Sequence, residues 1–151
     1  MMPYAIYHPG RDAATANLLL ESLGIPRDPL GAHQWIVAGV APDTVYRLAE
    51  LMKTDVGTVC QWAGISRSTL ARKLRIEAPL STSQGTKVYG VVQALDAVRS
   101  LHENDTTKAM SWLSRPARGF GGIAPADVLT TQMGVLAVVD LVGRIQHGVY
   151  I

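Results

Sequence analysis

The stretch from Gln132 to His147 constrains this chain more than any other. At helical spacing it is apolar on more than one side, and its one polar stripe is Asp140, Arg144 and His147 at i, i+4 and i+7. A helix of that kind lies between neighbours rather than on a surface, so the rest of the chain has to supply those neighbours. "DAATANLLLESLGIP" reads as a helix closed by Gly24 and Pro26, and "GAHQWIVAG" as a short second helix with Gly39 as its stop. Pro42 opens a third, with Val45, Leu48, Ala49 and Met52 at i, i+3, i+4 and i+7. Two compact helices, "VGTVCQWAG" and "SRSTLARKL", come next. A longer helix follows the polar "STSQGT", with Val88, Val91, Val92, Leu95, Val98 and Leu101 on one face. Its other side carries Asp96, Arg99 and Glu103, spaced for pairing at i, i+3 and i+4. Asn104 or Asp105 caps the helix of "ENDTTKAMSWL"; the glycine-rich "RGFGGIAP" breaks it, and Pro125 with Asp127 opens a short helical turn. Strand signals are poor throughout. The expected fold is all-α.

Composition narrows the class further. A length of 151 residues suits one compact domain or two small modules sharing a core. The 48% hydrophobic content excludes a disordered chain, and a net charge of +2 means that any surface for a polyanion is local. Cys60 is the only cysteine, so there is no internal disulfide framework, as befits a reducing compartment. The first residues lack the pattern of a signal peptide, and no apolar run approaches the ~20 residues of a membrane-spanning helix. These features predict a cytoplasmic protein with no membrane association.

Residues 56 to 76, "VGTVCQWAGISRSTLARKLRI", read as helix, tight turn, helix. Gly64 sits at the turn, where a positive φ costs it little, and Ser66 is placed to cap the second helix. Cys60 and Ala63 are small enough for a close crossing; Ile65, Leu70 and Leu74 form the inward face. Trp62 reads as a core residue. Between Asp55 and Glu77 there are four basic residues and no acid. That order suits a helix-turn-helix whose second helix enters the major groove: Arg67 donates two hydrogen bonds to a guanine, Ser66, Ser68 and Thr69 reach phosphates or bases, and Arg72, Lys73 and Arg75 meet flanking phosphates. The competing reading is an ordinary helical hairpin with a solvated basic face.

Catalytic and metal patterns are missing. His8, His33, His102 and His147 are scattered, with no H-x-x-x-H or cysteine pairing, so neither a metal site nor a cofactor is expected. "GFGG" at 119 to 122 lacks the spacing of a phosphate loop and makes a better turn. There is no nucleophile elbow, and Cys60 falls on an inward helical face. The chain reads as a binding protein rather than an enzyme. Its final residues raise a separate question, because Gly148 is followed by the large apolar Val149, Tyr150 and Ile151. Either that end folds back onto its own core, or it enters a partner.

The segment "AMSWLSRPARGFGGIAPADVLTTQMGVLAVVDLVGRIQHGVY" resembles the toxin-binding domain of Xre/ParS-type antitoxins. Ala109, Trp112, Leu113, Pro116, Gly121, Gly122, Pro125, Thr131, Gly134, Leu141, Arg144, Ile145 and Gly148 match that pattern. Phe120 stands where Leu is usual, and His147 where an aromatic such as Tyr is expected. The resemblance extends back through "GISRSTLARKL" and "AGVAPDTVYRLAELM" to about residue 31 and leaves residues 1–30 uncovered. It divides the chain into an N-terminal helical segment (1–30), an Xre-like helix-turn-helix domain (31–98) and a small helical toxin-binding domain (99–151). It implies an antitoxin of a RES–Xre system whose partner is a RES-domain, NAD-degrading toxin. Such a protein blocks the toxin's active site and represses its own operon at operator DNA. Arg144, His147, Gly148, Val149, Tyr150 and Ile151 are then the residues that meet the toxin, with Arg144 pairing a toxin acid. A homodimer, joined to toxin in a hetero-oligomer, is expected, with Val88, Val92 and Leu95 as one candidate dimer face unless they are monomer core. The other functional reading is a stand-alone helix-turn-helix regulator whose C-terminal helices dimerise or sense a ligand.

Overall fold

The structure is a computed structural model and describes residues 18–148. Among these residues it contains helices and turns and no strand. The helices are α1 (Leu18–Ser22), α2 (Pro29–Val37), α3 (Asp43–Leu51), α4 (Val56–Ala63), α5 (Arg67–Arg75), α6 (Thr82–Leu101), α7 (Thr106–Ser114) and α8 (Gln132–Gln146). Single 3₁₀ turns at Arg118–Phe120 and Pro125–Val128 lie between α7 and α8. The all-α expectation holds. The first part of the helix expected over residues 12–26 lies outside the described residues, as do Val149, Tyr150 and Ile151.

The starts of these helices follow from local chemistry. Asp28 accepts from the Gly31 amide at 2.7 Å and Pro29 takes the first helical position, so α2 begins two residues before the expected "GAHQWIVAG". Ser81 and Gln84 form a reciprocal capping box at the head of α6. Asp105, rather than Asn104, caps α7 by accepting from the Lys108 amide. Thr131 does the same for α8 through the Gly134 amide.

The core is organised around α6, a 20-residue helix about 30 Å long. It packs against α1, α2, α4, α7 and, most extensively, α8. Val88, Val91, Val92, Ala94, Leu95 and Val98 are almost wholly buried. Val88, Val92 and Leu95 are therefore monomer core and not a dimer face: five helices cover them, and no apolar stripe is left over. Burying each such valine or leucine stabilises the fold by about 1.5–3 kcal/mol before entropy is counted. Trp62, Cys60 and Ala63 belong to the same core.

Two positions set how α8 lies on its neighbours. Gly90 of α6 faces Val135 of α8, where an added Cβ would stand 3.4 Å from the valine, in ordinary van der Waals contact. A Cβ at Gly134 would fall on the carbonyl oxygen of Val128, which makes glycine obligatory where α8 begins. The apolar breadth of α8 is only partly used. Val135, Val138, Leu141 and Val142 are buried, while Met133 and Leu136 are exposed on the opposite flank, which faces outward rather than lying between neighbours. Ile145, on the buried side, is exposed near the end of the helix.

Asp96 overturns the polar face expected for α6. It is 2% exposed, and its two carboxylate oxygens accept from the amides of Leu19 and Leu20, each at 3.0 Å. The carboxylate thus satisfies free amides near the described start of α1. Burial pushes its pKa up to about 6, against the downward pull of those two hydrogen bonds. Glu103 lies past the end of α6 in a left-handed turn with Asn104 and forms no pair with Arg99. Among the described residues the ion pair formed is Asp140–Arg144.

Candidate functional site

The segment α4–α5 is built as its sequence suggests. Asp55 caps α4, accepting from the Thr58 amide at 2.7 Å and its hydroxyl at 3.0 Å; these bonds, the backbone one foremost, hold its pKa below the usual carboxylate value. Gly64 ends α4 with φ +66°. Ser66 caps α5 by accepting from the Thr69 amide at 3.1 Å, and its hydroxyl also meets that of Thr69. Two short helices thus meet across Gly64–Ser66, with Leu70 as the fully buried anchor of α5. Leu74, expected inward, is 41% exposed. α5 packs chiefly on α4 and buries Leu70 alone, so its last turn is left partly open to solvent.

The basic residues differ in what they touch. Arg67, Ser68, Arg72 and Arg75 are exposed. Arg67 leans back over the start of α4, with its guanidinium Nη1 3.6 Å from where a Gly57 Cβ would lie, and it lowers the Asp55 pKa by its charge. Lys73 is half-buried and donates to Gln84 Oε1 at 3.0 Å, tying α5 to the capping box of α6. Among the described residues Arg72 and Arg75 make no side-chain hydrogen bond or ion pair. The Cys60 thiol is buried beneath this segment, and desolvation raises its pKa, which removes it further from nucleophilic use.

At the other end of the molecule, Arg144 Nη2 lies 3.0 Å from Asp140 Oδ2 on the outward face of α8. His147 caps the helix and Gly148 follows with φ +74°, both exposed. The three described members of the expected toxin-facing set, Arg144, His147 and Gly148, therefore share one exposed helix end. The loop before α8 turns through Gly121 and Gly122, both at positive φ, with the Ala117 amide and carbonyl bonded to Ile123 and Gly122. Trp112, on α7, sets its ring 6.2 Å from that of His102, and Leu113 is fully buried. These residues brace the loop rather than offer chemistry. Among the described residues no cluster of His, Cys, Asp or Glu is arranged to hold a metal, and no helix is long and apolar enough to cross a membrane.

The described residues thus present an exposed basic helix, α5, and an exposed helix end at Arg144–Gly148. Residues 97–148 match the family described as the antitoxin Xre/MbcA/ParS C-terminal toxin-binding domain. An Antitoxin Xre of Photorhabdus laumondii is 31% identical over 136 residues, covering 89% of this chain and 91% of that protein. An Antitoxin Xre of Yersinia enterocolitica is 30% identical over 108 residues, covering 72% and 71%. A Prs ADP-ribosylating antitoxin of a Sphingobium species is 28% identical over 133 residues, covering 83% and 82%. The chain belongs to the Xre/ParS-type antitoxins. It is accordingly the antitoxin of a toxin–antitoxin system, and its family implies a cognate toxin as partner.

Proposed function

We propose that this antitoxin neutralises a RES-domain, NAD-degrading toxin by blocking its active site with the segment that follows α8, and represses its own operon through α4–α5. The observation that carries the first half is the match over residues 97–148, which runs to the exposed end of α8 and stops where Val149, Tyr150 and Ile151 begin. The name of the Sphingobium relative adds support, because ADP-ribosylation consumes NAD. α8 is held along α6 by four buried side chains and so offers that segment a rigid base. On binding, Arg144 exchanges Asp140 for a toxin acid. The chain acts by binding, without chemistry of its own, in the cytoplasm.

For DNA, the support is a capped hairpin whose second helix carries Arg67, Ser68, Arg72 and Arg75 outward and no acid. The division at 98/99 is then one of task, since that point lies in the last turn of α6. A homodimer presents two hairpins to two half-sites, and Leu74 and Ile76, exposed at the end of α5, replace the core valines as its contact.

One experiment separates the two tasks. Removing residues 149–151 should leave operator binding intact and abolish protection of cells from the toxin. Replacing Arg72 and Arg75 with Ala should do the reverse, flattening the salt dependence of operator binding by nearly two, about 0.9 for each phosphate contact. Full protection by the truncated chain, or unchanged operator affinity in the double variant, would remove the corresponding half of the reading.

A further inference from the structure

A cavity of about 410 Å³ opens between α2, α6 and the first turn of α8, a volume usual for small-molecule sites. Its lining includes Arg27, His33 and Lys87 and no carboxylate. Asp28, next in sequence to Arg27, lies outside the lining and turns its carboxylate to the Gly31 amide at the head of α2. Burial raises the pKa of the lining Tyr89, and the charge of Asp28 adds to that rise. Ile36, Val135 and Leu136 give the cavity an apolar floor. A third wall is the start of α8, a 15-residue helix whose positive dipole end adds to the cationic rim. Arg27 and Lys87 are the charged residues of the lining, and an anion placed between them is favoured by both. The floor asks for something other than a bare ion, since inorganic phosphate would leave it wet and uncovered.

We propose that this cavity binds a small organic anion, a phosphate ester or a carboxylate with an apolar or aromatic body, of mononucleotide size or less. The anionic group sits at the Arg27–His33–Lys87 rim and the body lies over Ile36 and Leu136. The residues come from three separate segments, so an occupant ties the head of α8 to α2 and α6. Lys87 also approaches the hairpin, with its Nζ 3.7 Å from where a Gly64 Cβ would be. The proposal is independent of which toxin is bound and of whether α5 reads DNA.

The test is isothermal titration and thermal melting of the full chain with three probes: adenosine monophosphate, benzoate and inorganic phosphate. An organic probe should bind with a measurable heat and raise the melting temperature, adenosine monophosphate if the site takes phosphate esters and benzoate if it takes carboxylates. Inorganic phosphate should do neither at the same concentration and ionic strength. The exposed pair Arg27→Gln and Lys87→Gln should keep the melting temperature of the free protein and weaken the organic probe at least tenfold. Leu136→Glu, which puts a carboxylate into the floor from an exposed position, should weaken it likewise. Absence of binding by both organic probes overturns the proposal. So does equal binding by inorganic phosphate, or an affinity that ignores all three substitutions.

Discussion

α5 and α8 are capped alike, by Ser66 and by Thr131, yet they are held by different forces. α5 buries one residue, Leu70, and packs chiefly on α4. α8 buries Val135, Val138, Leu141 and Val142 along the central helix. A helix with one anchor relies on its cap and its turn; a helix with four keeps its place even when an end frays. The contrast fits their proposed tasks, one helix offered outward to DNA and the other a fixed support.

The contrast breaks most readily at Leu70. Leu70→Ala should cost about 2–5 kcal/mol in chemical denaturation, because the only buried residue of α5 is removed and a cavity left. Val138→Ala, which leaves three anchors on α8, should cost less than Leu70→Ala in the same assay. A reversed order would show that α5 is held by more than its anchor.

A second test uses pH and concerns α1. Asp96 has an unfolded value of 3.8 and a folded value of about 6, so the folded state binds its proton more tightly. Its contribution to stability is present in full below about 3.8 and is lost as pH rises through 6, at up to about 1.4 kcal/mol per unit. Urea midpoints between pH 4 and 7 should therefore carry a component that falls with pH, and Asp96→Asn should remove it. Asn has one acceptor oxygen, so the variant also leaves either the Leu19 or the Leu20 amide without its partner.

The smallest effect sharpens the comparison most. Ser66→Ala and Thr131→Ala should each cost about 1 kcal/mol. Hydrogen exchange should separate them: the first is expected to open most of α5 locally, the second only the first turn of α8. Equal protection losses along both helices would mean that the four anchors of α8 confer no local advantage.

The same split explains what was legible in the sequence. Gly64, Ser66 and Asp105 could be read because their partners lie within four residues. The family pattern pointed to Thr131 and Gly134, though not to the reason for the glycine, which is the Val128 carbonyl. Asp96 was misread because the amides it serves are 76 and 77 residues away. Leu74 fits the helical spacing of a buried face, yet α5 has α4 as its chief neighbour and leaves that side chain 41% exposed. Helical period told which residues on α6 are apolar and not how many helices surround them, so the core valines could also be read as an interface. Of the proposed site, the exposed Arg72 and Arg75 were visible in the charge pattern; the tethering of Lys73 by Gln84 depends on the approach of two helices and was not. The cationic cavity draws on three separated segments and left no local motif.

The continuity of α6 also bears on how such chains can change in length. Each residue of a helix advances by about 1.5 Å and turns by about 100°. An insertion of one residue near the middle of Thr82–Leu101 would swing everything after it through more than a quarter of a circle and pull Val135 away from Gly90. A step of seven residues nearly restores the rotation but shifts the later helices by about 10 Å, off the shelf formed by α1, α2 and α4. Insertions are therefore expected to be tolerated in the turns and not within α6, whose single rotational phase fixes how the hairpin and α8 face relative to it.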